Sequence, residues 1–252
     1  MWNEDPLKIL ALDIETSPNI ADVWGLFNQN VGLNQLREST RMICFVAKFL
    51  DEDEIHFYSE FHHGRDEMVQ AAHGLLSEAD VLLHYNGDSF DIKHLNREFA
   101  TAGMTPPAPY KSIDLLKVVK RRFKFPSNKL AYVSQAFGLD GKEETGGHNL
   151  WVRCMAGDPE AWETMRQYNE RDVILLEELY EKLLPWIPNH PNRALYSGNP
   201  EDACTNCGST DLRREGHRYT ATGKFQRFVC RACGTWLTSG KRVEAVDIRQ
   251  AG

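Results

Sequence analysis

The chain has 252 residues, of which 42% are hydrophobic and 26% charged, and a formal net charge of −7. That is enough apolar material for a sizeable core in more than one domain and excludes a disordered polyelectrolyte. The apolar runs are strand-sized, too short to span a bilayer, and the opening MWNEDPLK is acidic where a secretory signal would be basic, so a cytoplasmic protein with no membrane partner is expected.

Near the amino terminus, the apolar run Ile9–Leu12 reads as a buried strand within residues 7–14. Residues two apart on a strand share a face, so Asp13 and Glu15 project together. Two adjacent carboxylates repel each other unless a hard cation neutralises them. Residues 17–41 read as a polar insertion without firm periodicity, placed to shape a substrate mouth. Strands follow at 43–50 and 55–58, joined by a turn at the DEDE cluster of 51–54. A further strand near 80–85 runs into Tyr85, Asn86 and Gly87, which turn the chain. The helix expected next has Ser89 as its cap, Ile92, Leu95 and Phe99 at helical spacing, and Gly103 and Pro106-Pro107 at its end. Asp91 falls in its first turn, where exposed N–H groups favour negative charge.

Beyond that helix, Lys117, Lys120, Arg121 and Lys124 recur at helical spacing, a basic face that either grips a phosphate backbone or is simply solvated. The glycine-rich GKEETGGHNLW, 141–151, reads as a loop near the site entrance. A long helix opens at Asp158-Pro159, with proline where its missing N–H costs little, and ends near Pro185. Tyr168 and Asp172 lie four residues apart and so stack on one face of it.

Taken together, LALDIET, HYNGDSFD and YNERD resemble the three motifs of the DEDD superfamily of 3′ to 5′ exonucleases, DnaQ-like enzymes with a ribonuclease H-like fold. Asp13-x-Glu15 is similar to the first motif, Asn86-x3-Phe90-Asp91 to the second, and Tyr168-x3-Asp172 to the third in its tyrosine-bearing, or DEDDy, form. The histidine form has its base five residues before the final aspartate, where this chain has Gln167. DIETSPN and SIDLL…KLAYVSQAFGL most resemble the proofreading exonuclease of family B DNA polymerases and its stand-alone relatives, over about residues 7–185. The resemblance implies an α/β domain with a mixed five-stranded sheet flanked by helices. It also implies two Mg2+ or Mn2+ ions on Asp13, Glu15, Asp91 and Asp172, with Tyr168 orienting the attacking water. Thr16, Asn86 and Phe90 become candidates for holding the terminal nucleotide, and Lys120 and Arg121 for the strand behind it. Asp114, in SIDLL, recurs in that resemblance and is not counted as a ligand.

The carboxyl-terminal part carries a different signature. Cys204-x2-Cys207-Gly208 and Cys230-x2-Cys233-Gly234 form two knuckles separated by 22 residues, the pattern of a zinc ribbon with one structural Zn2+. Disulfides are the competing use, disfavoured in a reducing compartment. Charge divides along the same line: residues 1–188 hold 19 Lys and Arg against 30 Asp and Glu, a net of −11, whereas 189–252 hold 10 against 6, a net of +4. Arg213, Arg214, Arg218, Lys224, Arg227 and Arg231, interleaved with Tyr219, Phe225 and Phe228, suit either a phosphate backbone with its bases or an ordinary ribbon surface.

The expected organisation is therefore an exonuclease domain over 1–188, a linker over 189–202 and a four-cysteine zinc ribbon over 203–252. The expected function is metal-dependent release of nucleotides from single-stranded DNA 3′ ends in replication, repair or recombination, in a cellular or virus-encoded setting, with replication or repair proteins as further partners of the ribbon. An exoribonuclease, or a non-catalytic zinc-ribbon nucleic-acid adaptor, fits the same residues.

Overall fold

The computed structural model describes residues 6–140, 147–196 and 203–248. Lys8–Leu179 form one compact unit, and the residues from Tyr180 onward belong to a second.

From Ile9 the chain runs β1 (Ile9–Thr16), a small hairpin of β2 (Ile20–Ala21) and β3 (Leu36–Glu38), β4 (Met42–Phe49), β5 (His56–Ser59), α1 (Arg65–Glu78), β6 (Val81–His84), α2 (Asp91–Thr101), β7 (Lys111–Asp114), α3 (Leu115–Arg122), α4 (Leu130–Ala136), α5 (His148–Met155) and α6 (Pro159–Leu183), the last of which ends the first unit at Leu179. Five strands form one sheet in the order β5-β4-β1-β6-β7. β4 and β5 lie antiparallel to their neighbours, and β6 and β7 parallel. The sheet is the mixed one expected of a ribonuclease H-like fold.

Central position explains the composition of β1: Ile9, Leu10, Ala11 and Leu12 are each no more than 1% exposed, because both faces of the strand are covered. Leu10, Leu12 and Ile14 pack with Met68, Val69 and Leu76 of α1 and Leu95 and Phe99 of α2. Alternation then sends Asp13 and Glu15 to the other face. On that face Ile43 and Cys44 of β4 pack against Leu150 and Cys154 of α5 and Trp162, Met165 and Tyr168 of α6.

Three expectations need correction. Residues 17–41 are not uniformly polar, because the segment between β2 and β3 exposes Trp24 completely and Leu26 and Phe27 at 85% each. Most of the stretch read as a loop over 141–151 lies outside the described residues, and His148 onward forms α5, opened by Gly147 at φ +66. Ser89 does not cap α2; Phe90 occupies the cap position without a side-chain bond, and the N–H groups that a cap would have served donate to backbone, Ile92 to the Gly87 carbonyl and Lys93 to the Phe90 carbonyl.

The second unit holds an antiparallel sheet of β8 (Leu212–Tyr219), β9 (Gly223–Cys230) and β10 (Trp236–Ala245), with β9 central. Residues 189–196, read as the start of a linker, contain a short 3-10 turn at Arg193–Tyr196, and the Arg193 N–H donates to the Thr205 carbonyl. Residues 197–202, the remainder of that stretch, lie outside the described residues. Among the described residues no helix is long and apolar enough to cross a membrane.

Candidate active site

The carboxylate motifs meet at the carboxyl end of β1. Asp91, the first residue of α2 and 4% exposed, accepts the Ile14 N–H through Oδ1 at 3.2 Å, so it sits on the backbone between Asp13 and Glu15. From the opposite side α6 brings Tyr168 and Asp172, 7% and 5% exposed. The Tyr168 phenol is pushed well above its ordinary range, first by burial and then by the charges of Asp172, Glu15 and Asp13, and it shares a hydrogen bond with Asp172. Glu15 stands opposite Cys44 in the β1–β4 register, and that thiol is raised by burial, then by Glu15 and Asp13. Asn169, fully buried beside Tyr168, donates to the Met165 carbonyl at 2.8 Å and approaches the Cys44 sulfur. Gln167, where the histidine form would place its base, instead donates to Glu163 near the surface.

The second motif owes its shape to residues that are not candidate ligands. Asn86 adopts φ +71, an unusual conformation for a residue with a Cβ. Its N–H donates to Asp114 Oδ1 at 2.9 Å, and the same oxygen accepts the Leu116 N–H that opens α3. Gly87 donates to His84 Nδ1 at 2.9 Å, and any Cβ on Gly87 would lie 2.5 Å from the His84 ring. His84 Nε2 pairs with the Ser112 hydroxyl, which donates to Asp88; Asp88 also holds Lys117. Asp114 and His84 thus fix the turn that carries Asn86 and leads into Asp91. An aspartate directly before a helical run is a cap signal, so the Asp114 contact to α3 was within reach of sequence reasoning. The bond to Asn86 and the part played by His84 were not, since nothing local marks them.

Among the proposed substrate contacts, Phe90 is 40% exposed with its ring tilted on His94, Asn86 is exposed, and Thr16 ends β1 half-buried. Lys120 and Arg121 are exposed on α3, one turn past Lys117, whereas Lys124 lies beyond the end of that helix.

The residues suit a divalent cation by a specific observation. Burial raises the Asp91 carboxyl to about 6, with Asp114 adding to the rise and the N–H groups of Asp91 and Ile14 opposing it. No salt bridge reaches Asp91 among the described residues, so the positive charge that would stabilise its ionised form is not supplied by a side chain. Oxygen-only donors of this kind match magnesium or manganese. The four carboxylates do not close on a single point: among the described residues, only the cysteines form a group of three or more ligand atoms within 4.8 Å of one another. A pair of ions about 4 Å apart calls for a wider spread of oxygens.

That sulfur cluster comprises Cys204, Cys207, Cys230 and Cys233, all reduced. Its Sγ atoms stand 3.7 Å apart for Cys204 and Cys233 and 3.6 Å for Cys207 and Cys230. Four sulfurs at about 2.3 Å from a tetrahedral zinc would be about 3.8 Å apart, so the cluster fits that ion. The two knuckles repeat one backbone pattern, with Gly208 and Gly234 at φ +77 and +81 donating to the Cys204 and Cys230 carbonyls. His217 is not in the cluster; it pairs with Gln226 across β8 and β9.

Comparison with known proteins agrees with this architecture. A model of the RNase H superfamily matches residues 31–184. A DNA polymerase of Pyrococcus glycovorans is 24% identical over 219 residues, which are 73% of this chain and 26% of that protein. The chain therefore spans about a quarter of that relative's length. Among solved structures, the family B DNA polymerase of the hyperthermophilic archaeon Pyrobaculum calidifontis superposes with a TM-score of 0.55 at 18% identity, covering 86% of this chain and 32% of that one, a likeness of fold. By its sheet order and by the match over residues 31–184, the chain belongs to the RNase H superfamily.

Proposed function

We propose that the protein is a metal-dependent 3′ to 5′ exonuclease of the tyrosine-bearing DEDD type that releases nucleotides from single-stranded DNA. The observation that carries this reading is the convergence at the end of β1, where Asp91 binds the backbone between Asp13 and Glu15 while Tyr168 lies within the field of Asp13, Glu15 and Asp172. Similarity to two DNA polymerases supports DNA as the substrate.

Asp13, Glu15, Asp91 and Asp172 would hold two magnesium or manganese ions, which when bound supply the charge that acidifies a water and stabilises the leaving 3′ oxygen. Tyr168 keeps its proton at neutral pH, because burial and three acidic neighbours oppose its ionisation. It is therefore a hydrogen-bonding group that orients the nucleophilic water, and not the base that deprotonates it. Asn86 and the exposed Phe90 lie in the turn that leads into Asp91 at the opening of α2, where they suit the terminal sugar and base.

Oligonucleotides labelled at either end, of DNA and of RNA, test this with magnesium, with manganese and without added metal. Mononucleotide release from DNA 3′ ends, dependent on the metal and lost in Asp13→Ala with strand binding retained, is the expected result. Preferential RNA degradation would replace DNA as the substrate. A wild type inert on both would leave a non-catalytic adaptor.

A further inference from the structure

The register of the ribbon sheet sorts its basic residues onto two unequal faces. Directly opposed residues in an antiparallel pair share a face. Phe225 of the central strand stands opposite Arg218 on one side and Arg242 on the other. Val229 stands opposite Arg213 and Trp236, and Arg227 opposite Thr238. Since Phe225, Arg227 and Val229 alternate along β9, these residues all occupy one face. The Arg227 guanidinium lies 5.4 Å from the centre of the Trp236 ring, as shared placement requires. A Cβ on Gly223 would lie 3.3 Å from both Phe225 and Arg242, and one on Gly216 would lie 3.1 Å from Arg227, so two glycines leave room for these side chains.

The other face is of a different kind. Arg214, Phe228 and Leu237 form one row there, and Tyr219, Lys224 and Glu244 another, with Lys224 bonded to Glu244 and Leu212 opposite the cluster residue Cys230. On the first face Arg213 is engaged by Glu215. No salt bridge among the described residues involves Arg218, Arg227 or Arg242, all of them exposed, and Trp236 is 57% exposed beside Arg227.

We propose that this face binds single-stranded nucleic acid, with Arg218, Arg227 and Arg242 on phosphates and Phe225 and Trp236 against bases. Charge alone would equally suit an acidic peptide. Phe225 set between Arg218 and Arg242, and Trp236 beside Arg227, favour a strand, because every base offers a stacking surface and every link a phosphate. The proposal deepens the nuclease reading by giving the substrate a holding point outside the carboxylate cleft, and the binding itself requires no hydrolysis.

The test uses the full chain carrying Asp13→Ala, so that the strand survives, and reads the anisotropy of a labelled oligothymidylate across a salt series. Adding Arg218→Ala, Arg227→Ala and Arg242→Ala should weaken binding about tenfold or more and flatten the slope of log affinity against log salt by about 2, at about 0.7 for each phosphate of a single strand that is no longer neutralised. Phe225→Leu with Trp236→Leu should weaken binding several-fold and leave that slope unchanged. Zinc content measured by mass identifies any variant whose ribbon has unfolded, and for such a variant Arg→Gln replacements at the same three positions give the reading. Unchanged affinity and slope overturn the proposal, as does an equal loss from Arg214→Ala with Lys224→Ala on the opposite face. An inert wild type that still binds through this face overturns the nuclease reading alone. An active wild type whose triple variant binds and trims unchanged overturns the ribbon proposal alone.

Discussion

Asp91→Asn should make the metal-free protein more stable relative to wild type as pH rises, although it removes a residue proposed to be essential. The Asp91 carboxyl titrates at about 6 in the folded chain against an ordinary 3.8. Its proton is thus held more tightly folded than unfolded, so the stability it contributes is complete below about pH 4 and is lost as pH rises through about 6. At 1.36 kcal/mol per unit the full loss is about 3 kcal/mol, of which about 2 falls between pH 4 and 7. The asparagine keeps an oxygen for the Ile14 N–H, which Asp91 accepts at 3.2 Å. Whatever the buried amide costs is the same at each pH, so the difference between the two proteins isolates the carboxyl. Chemical denaturation of both proteins without divalent ions should show the gap moving by about 2 kcal/mol in favour of the variant from pH 4 to 7. With magnesium or manganese at a hundredfold excess over the dissociation constant, wild type should regain about 2.7 kcal/mol and the variant much less. A gap that does not change with pH, or equal stabilisation of both proteins by the metals, would refute the reasoning.

Gly87→Ala should cost about 1–3 kcal/mol by overpacking, since the new methyl meets the fully enclosed His84 ring at 2.5 Å, and denaturant unfolding checks it. Tyr168→Phe should lower kcat by up to about a hundredfold by loosening the water while leaving metal-induced stabilisation intact, as steady-state kinetics and thermal shift together would show. Its pH–rate profile near neutrality should keep the wild-type shape, because the raised Tyr168 phenol does not titrate there. Stripping zinc should make the four cluster thiols reactive and melt the three-stranded sheet, leaving Cys44 and Cys154 slow to react, as timed thiol labelling would reveal.

What could be read from the sequence was what has a short period or a short spacing. The buried run before Asp13, the two-residue step to Glu15, the four-residue step from Tyr168 to Asp172 and the paired CxxCG knuckles each record a local geometry, and β1, α6 and the sulfur cluster follow them. β7 escaped because four residues with one exposed end, Lys111–Asp114, show too little alternation to declare a strand. α5 escaped because its glycine-rich approach reads as a loop until Gly147 takes a positive φ and Leu150 and Cys154 find the sheet. The bonds from Asp114 to Asn86 and from His84 to Gly87 belong to tertiary structure, as does the division of the ribbon arginines between two faces, which depends on a register shifted by bulges in both outer strands.

The most direct test is diffraction from crystals soaked in manganese, with data collected at its absorption edge. Two anomalous peaks about 4 Å apart, bonded to oxygens of Asp13, Glu15, Asp91 and Asp172, are the expected result. A map without signal between β1, α2 and α6, from crystals that show the four carboxylates in place, would contradict it.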